Sequence, residues 1–169
     1  MVITTTDTAL LRLLQLSSAS LPVGAYAFSQ GLEYATETGW VTTLADTEAW
    51  LENQIQHSLA WTDLPILLRV LDALAAQDSK QVNYWNHYIL ACRETKELSL
   101  ADTATGEALL RLLTQLEVSV PRLTLASPSF LTVFAQAAFC WGISKEACQL
   151  GYLWSWLENQ VAAATKLVP

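Results

Sequence analysis

The chain has 169 residues, enough for one domain of ordinary size, and it is 52% hydrophobic but only 15% charged. The usual charged share is about 25%, so this composition argues against disorder and leaves few side chains to solvate the surface. The formal net charge is -7, from 9 basic and 16 acidic residues with no basic run, which argues against nucleic acid or an anionic membrane as partner.

Thr8 to Leu16, with leucines at 10, 11, 13, 14 and 16, predicts a short, mostly buried helix. Pro22 and Gly24 then break the pattern, and Tyr26 to Thr36 resumes it, with Gly39 as its C-terminal cap. Thr43 and Asp46 fit an N-terminal cap. Leu44, Leu51, Ile55 and Leu59 mark one face of the helix that follows, ending near Trp61. Thr62 is placed to cap the next helix, with Asp63 in its first turn, Pro65 near its start and Leu64, Leu67, Leu68, Leu71 and Leu74 on its apolar side.

Ser79 to Leu98 reads as one helix, with Tyr84, Tyr88 and Cys92 four apart. Asp102 or Thr103 opens another, carried by Leu109, Leu112, Leu113 and Leu116. After a linker at Pro121, Ser127 with Pro128 marks an N-cap and first helical position, and Phe130, Phe134, Ala137 and Trp141 follow at helical spacing. Gly142 stops that helix and Ser144 caps the last. There Ala147, Leu150, Trp154, Leu157, Val161 and Ala164 repeat at three and four, the seam of a bundle helix. No useful period-two run appears. The expectation is an all-α, single-domain bundle of seven to nine helices without a sheet.

The termini and cysteines bear on compartment. Met1 to Leu16 lacks a basic n-region and contains Asp7, so no secretory signal is expected, and no apolar run is long enough to span a membrane. Cys92, Cys140 and Cys148 are odd in number and unclustered, as for reduced, buried thiols in a cytoplasmic protein. Seven tryptophans are many for this length. If three or four lie outside the core they add roughly 500–1,000 Å² of apolar surface, on the order of what a partner gives to a standard interface.

Several chemistries lack their residues. No G-x-x-x-x-G-K-[ST] run exists, and no lysine precedes Lys80, so no nucleotide site is expected. His57 and His87 stand thirty residues apart without metal spacing. Ala27-Phe28-Ser29-Gln30-Gly31 is one residue from the G-x-S-x-G elbow, and Ser29, Asp63 or Asp72, and His87 follow the hydrolase order. That elbow needs a strand entering a helix, which this chain does not offer. The alternative for Ser29 is a helix-start serine bonded to nearby backbone. Arg93 has two readings: an i, i+4 partner of Glu97 on the surface, or a partly buried guanidinium pairing with a carboxylate across helices.

Three segments carry a family resemblance. The first is Leu14-Gln15-Leu16-Ser17-Ser18-Ala19-Ser20-Leu21-Pro22-Val23-Gly24, continuing through Tyr26 and Ser29-Gln30-Gly31-Leu32-Glu33 to Gly39-Trp40-Val41. The second is Arg93-Glu94-Thr95 with Glu97-Leu98 and Gly106. The third is Tyr152-Leu153-Trp154-Ser155-Trp156-Leu157-Glu158-Asn159-Gln160-Val161, leading to Lys166-Leu167-Val168-Pro169. With them the chain resembles the urease accessory protein UreF family over essentially its whole length.

That resemblance implies an all-helical, non-catalytic scaffold in nickel insertion into urease. It implies that the scaffold binds UreD (also called UreH), recruits the GTPase UreG, serves the urease apoprotein and works as a homodimer. Nickel and GTP are then handled by partners, with neither held here. Two departures from relatives stand out: Ala25 replaces a frequent second glycine, and relatives run on past the position of Pro169 with a tail that the resemblance implies helps bind UreD. The domain expectation is one UreF-like unit over 1–169 that stops short of that tail. The expected partner-facing residues are Tyr26, Ser29, Glu33, Arg93, Glu94 and Lys166. The rival readings are a small serine hydrolase using Ser29 and a generic helical adaptor.

Overall fold

A computed structural model describes residues 6–24, 29–121 and 127–168. In chain order these form α1 (Asp7–Ser17), α2 (Leu32–Glu37), α3 (Leu44–Gln54), a π-helical segment (Ile55–Asp63), α4 (Leu64–Ala75), α5 (Ser79–Ala91), α6 (Lys96–Gln115), α7 (Phe130–Cys140) and α8 (Lys145–Leu167). Among the described residues there is no strand, as the missing period-two pattern requires.

The helix starts are written in short polar side chains. Thr43 and Asp46 form a full capping box at α3. Thr6, Asp78, Thr95, Ser129 and Ser144 each accept a hydrogen bond from a backbone N–H in the first turn of the helix they open. Such a cap contributes about 1 kcal/mol. Gly39 (φ +77°) and Gly142 (φ +66°) follow α2 and α7 in the left-handed conformation that ends helices.

The main core forms around α7, where every residue from Leu131 to Ala138 is buried. This helix packs against α4 and α6, and α4 packs against α5. Phe134 is wholly buried, with Tyr152 of α8 edge-on at 5.5 Å between ring centroids. Close approach of α6 to the start of α7 depends on Gly106, since a Cβ there would stand 2.7 Å from the carbonyl carbon of Ser129. A smaller cluster joins Leu32, Ala35 and Val41 to Ala164 near the end of α8.

Several boundaries differ from the sequence reading. The helix expected over 79–98 is two, because Cys92 to Thr95 turn and Thr95 caps α6. Asp102 therefore lies inside α6 instead of opening it. The N-cap of α7 is Ser129, two residues beyond the expected Ser127. Thr62 caps nothing: α3 runs through the π-helical segment into α4 without a break, and Asp63 makes no capping bond there. The helix expected over 26–36 is described only from Leu32, and Tyr26 lies outside the described residues.

Two helices also face the solvent more than expected. In α1, Leu10, Leu11 and Leu14 are exposed while Ala9, Leu13 and Leu16 are buried. In α8 half of the predicted seam points outward: Leu150 is 69% exposed, Trp154 57% and Val161 45%. The buried face carries Cys148, Gly151, Tyr152, Ser155 and Gln160, joined by Ala164 as the one buried residue of that seam. Small residues are what a close helix contact needs. A Cβ at Gly151 would stand 2.7 Å from Ser17 Oγ of α1 and meet the Leu13 side chain.

Candidate functional site

Arg93 lies in the turn between α5 and α6 and is drawn inward by carboxylates on two elements. Its Nη2 and Nη1 donate to Asp63 Oδ1 and Oδ2 at 2.9 and 3.2 Å, a bidentate pair at the end of the π-helical segment. Its Nε donates to Asp102 Oδ2 of α6 at 2.7 Å. Asp102 Oδ1 accepts the Phe130 N–H at 2.7 Å, and Tyr152 Oη donates to Asp63 Oδ1 at 2.8 Å. One guanidinium thus ties together the π-helical segment, α6, α7 and α8.

The side chains of Asp63 and Asp102 are 5% and 7% exposed and that of Arg93 18%. Burial opposes the charge on Arg93, but Asp63 and Asp102 outweigh it and hold its pKa well above the ordinary value. Burial, then the Asp63 charge, pushes the Tyr152 phenol up well above its usual range. Of the two sequence readings of Arg93, the cross-helix pair is the one that forms. The pair with Glu97 does not, since Glu97 lies in α6 and Arg93 before it. Deleting one member of such a network leaves a buried charge without its counter-ion and costs about 3–5 kcal/mol.

Beside this network lies a cavity of about 330 Å³. Arg93, Asp63, Asp102 and Tyr152 form its floor, and Gln30, Asn53, His57 and Glu94 stand among its lining residues. Gln30 Oε1 accepts the indole N–H of Trp156 at 2.6 Å, which closes one side. All three segments that carry the family resemblance reach this cavity: Gln30 from the first, Arg93 and Glu94 from the second, Tyr152, Ser155, Trp156 and Asn159 from the third. The first and third also meet directly, through the Ala19 N–H on Glu158 Oε2 at 2.8 Å and Gln160 Nε2 on the Ser29 carbonyl at 3.3 Å.

The remaining expected site residues are spread over the surface. Glu33 is exposed in the first turn of α2, and Lys166 is exposed in the last turn of α8, where the helix dipole favours a cation. Ser29 Oγ accepts the Glu33 N–H at 3.3 Å, the helix-start bond expected for a non-catalytic serine. His87 Nδ1 is 2.8 Å from the Asn83 carbonyl, and Asp63 is committed to Arg93 and Tyr152. No hydrogen bond among the described residues links Ser29, His87 and an aspartate. Nor does any group of three His, Cys, Asp or Glu among the described residues stand close enough to hold a metal ion.

Asp63, Asp102 and Tyr152 were not singled out from the sequence as members of this site. Asp102 gave no readable signal, because the sequence reading set it at a helix start, where an exposed acid needs no partner.

Comparison with known proteins agrees with the resemblance that these segments carry. The family model described as UreF matches residues 41–169. A protein of Marinomonas sp. (strain MWYL1) named urease accessory protein UreF is 54% identical over 167 residues, which is 99% of this chain and 73% of that protein. This chain belongs to the UreF family. Proteins of the same name from Teredinibacter turnerae and Hahella chejuensis are 47% and 46% identical over 161 and 162 residues, each match covering 95% of this chain and 73% of the relative. The Arg93 network is therefore described within a UreF chain, and the cavity lies where the three UreF-like segments meet. No helix among the described residues is long and apolar enough to cross a membrane.

Proposed function

We propose that this UreF chain is a non-catalytic scaffold of urease maturation. It bridges UreD (UreH) and the GTPase UreG, modulates GTP-dependent nickel delivery by UreG, and presents the urease apoprotein with the assembled complex. Nickel and GTP are carried by the partners, and the chain works in the cytoplasm as a homodimer within the assembly. Its relatives' name, urease accessory protein, supports the first step of this reading.

The observation that carries it is the outward face of α8. Leu150, Trp154 and Val161 form an apolar row on a helix whose inward face is made of small and polar residues. Trp40 and Trp61 are exposed as well, at 65% and 78%, so three of the seven tryptophans lie outside the core, the number at which the composition points to an interface. They stand on different elements, which suits a chain that meets more than one partner. A scaffold of this kind acts by binding the nucleotide-loaded state of UreG more tightly than the empty state, and shifts that equilibrium by the difference in affinity.

The test is co-purification of the tagged chain with UreD-like and UreG-like proteins, with and without GTP and nickel, followed by mass measurement. A complex containing both proteins is expected. Lys166→Ala should keep the fold and weaken complex formation. Recovery of the chain alone under all four conditions would exclude the scaffold. Labelling of Ser29 by a fluorophosphonate would favour the hydrolase reading instead.

A further inference from the structure

We propose that the cavity beside Arg93 seats an arginine side chain supplied by a partner protein. The source of that side chain rests on the scaffold reading above; the cation preference rests on the cavity alone. Three carboxylates, Asp63, Asp102 and Glu94, line the cavity against one guanidinium, that of Arg93. Both oxygens of Asp63 and of Asp102 are already engaged, yet the buried group still carries two negative charges for one positive. Charge left over in a low-dielectric site is stabilised by a counter-ion brought from outside. An anionic ligand is repelled here.

A second, independent observation asks for donors. Asn159 lines the cavity, and its buried Oδ1 has no hydrogen-bond donor among the described residues. Asn53 and Gln54 add two further side-chain amides to the lining, while the Gln30 oxygen is taken by Trp156. An arginine offers five N–H donors in a planar fork and no acceptor, which matches a lining with three carboxylates and an unpaired amide oxygen. The volume of about 330 Å³ lies at the small end of the range for ligand sites. Asn53, His57 and Glu94 are exposed, so the cavity is open at the surface. A bare metal ion is the poorer fit, because no three of the His, Cys, Asp and Glu side chains described converge here.

The indole N–H of Trp156 reports on the site. In a ¹⁵N-labelled full chain, its resonance is followed during addition of n-butylguanidinium chloride, the neutral isostere n-butylurea, or nickel chloride, each against sodium chloride of matched ionic strength. A saturable shift with n-butylguanidinium is expected, absent with n-butylurea and weakened about threefold in Glu94→Gln, as for an exposed charge pair. No saturable shift, an equal response to n-butylurea, or tighter binding of nickel would each overturn the proposal. With a partner bound, saturating n-butylguanidinium should release it. Retention of the partner would assign the cavity to a free small cation and also overturn the proposal. If partners co-purify while the indole stays silent, this inference fails and the scaffold stands. If the indole responds while no partner ever co-purifies, the scaffold fails, and the partner's arginine fails with it.

Discussion

Helices α7 and α8 are both rich in large apolar residues, but they use them in opposite ways. In α7 eight consecutive residues are buried, so it forms a rod at the centre of the core with no face of its own. In α8 the inward face is Cys148, Gly151, Ser155 and Gln160 beside Tyr152, while Leu150, Trp154 and Val161 face out. Residue size therefore does not tell which face of a helix is the core face. The core selects what fits at the available distance, and near α1 that is a glycine.

The contrast is broken most sharply by truncation in α7. Phe134→Ala removes a wholly buried ring and should cost about 3–5 kcal/mol in urea denaturation. A loss below about 1 kcal/mol would mean that α7 is not the centre of the core. On the inward face of α8, Gly151→Ala pushes a methyl into Leu13 and Ser17. About 1–3 kcal/mol is expected, because a side chain can give way where backbone cannot.

A third measurement uses pH. Burial pushes the Cys148 thiol up to about 12 from 9.0. The folded pKa is raised, so its contribution is fully present below pH 9 and is lost as pH rises from 9 towards 12, where the unfolded chain ionises first. Cys148 should resist alkylation at pH 8 until denaturant is added, whereas Cys92 and Cys140, both only half-buried, should react in the folded chain. Alkylation of native Cys148 at their rate would show that the inward face of α8 is open.

The smallest effect on stability is expected on the outward face. Trp154→Ala should change unfolding by less than about 0.5 kcal/mol. The same variant should reduce co-purification of partners at least tenfold, the behaviour of an interface aromatic. A large stability loss with intact partner binding would reverse the reading of α8.

How much of this could be read from the sequence depended on how local the cause was. The caps at Thr43, Gly39, Gly142 and Ser144 are legible because each residue acts on the three or four next to it. The orientation of α8 was not, since a three-four repeat of apolar residues specifies one face but not what it meets. Nor was the join of α3 to α4, where a Thr-Asp-x-Pro run mimics a helix start although the backbone turns without interruption. At the candidate site, Arg93 stood out because a charge is conspicuous in a chain with so few, but the sequence left a surface pair with Glu97 and a buried cross-helix pair equally open. Its partners were not legible, because Asp63 lies 30 positions away and the pairing exists only once α6 and the π-helical segment are packed.

That π-helical segment sets the phase of everything after it. α3 buries Thr47 alone, while α4 buries six residues, yet the two belong to one unbroken rod. The wide turns between Ile55 and Asp63 act as a phase slip, letting a mostly solvated helix become a core helix without a loop. Removing one residue there would swing Asp63 and the whole apolar side of α4 by about a quarter turn. The number of residues between α3 and α4 is thus fixed by the register of the core, not by a loop's reach.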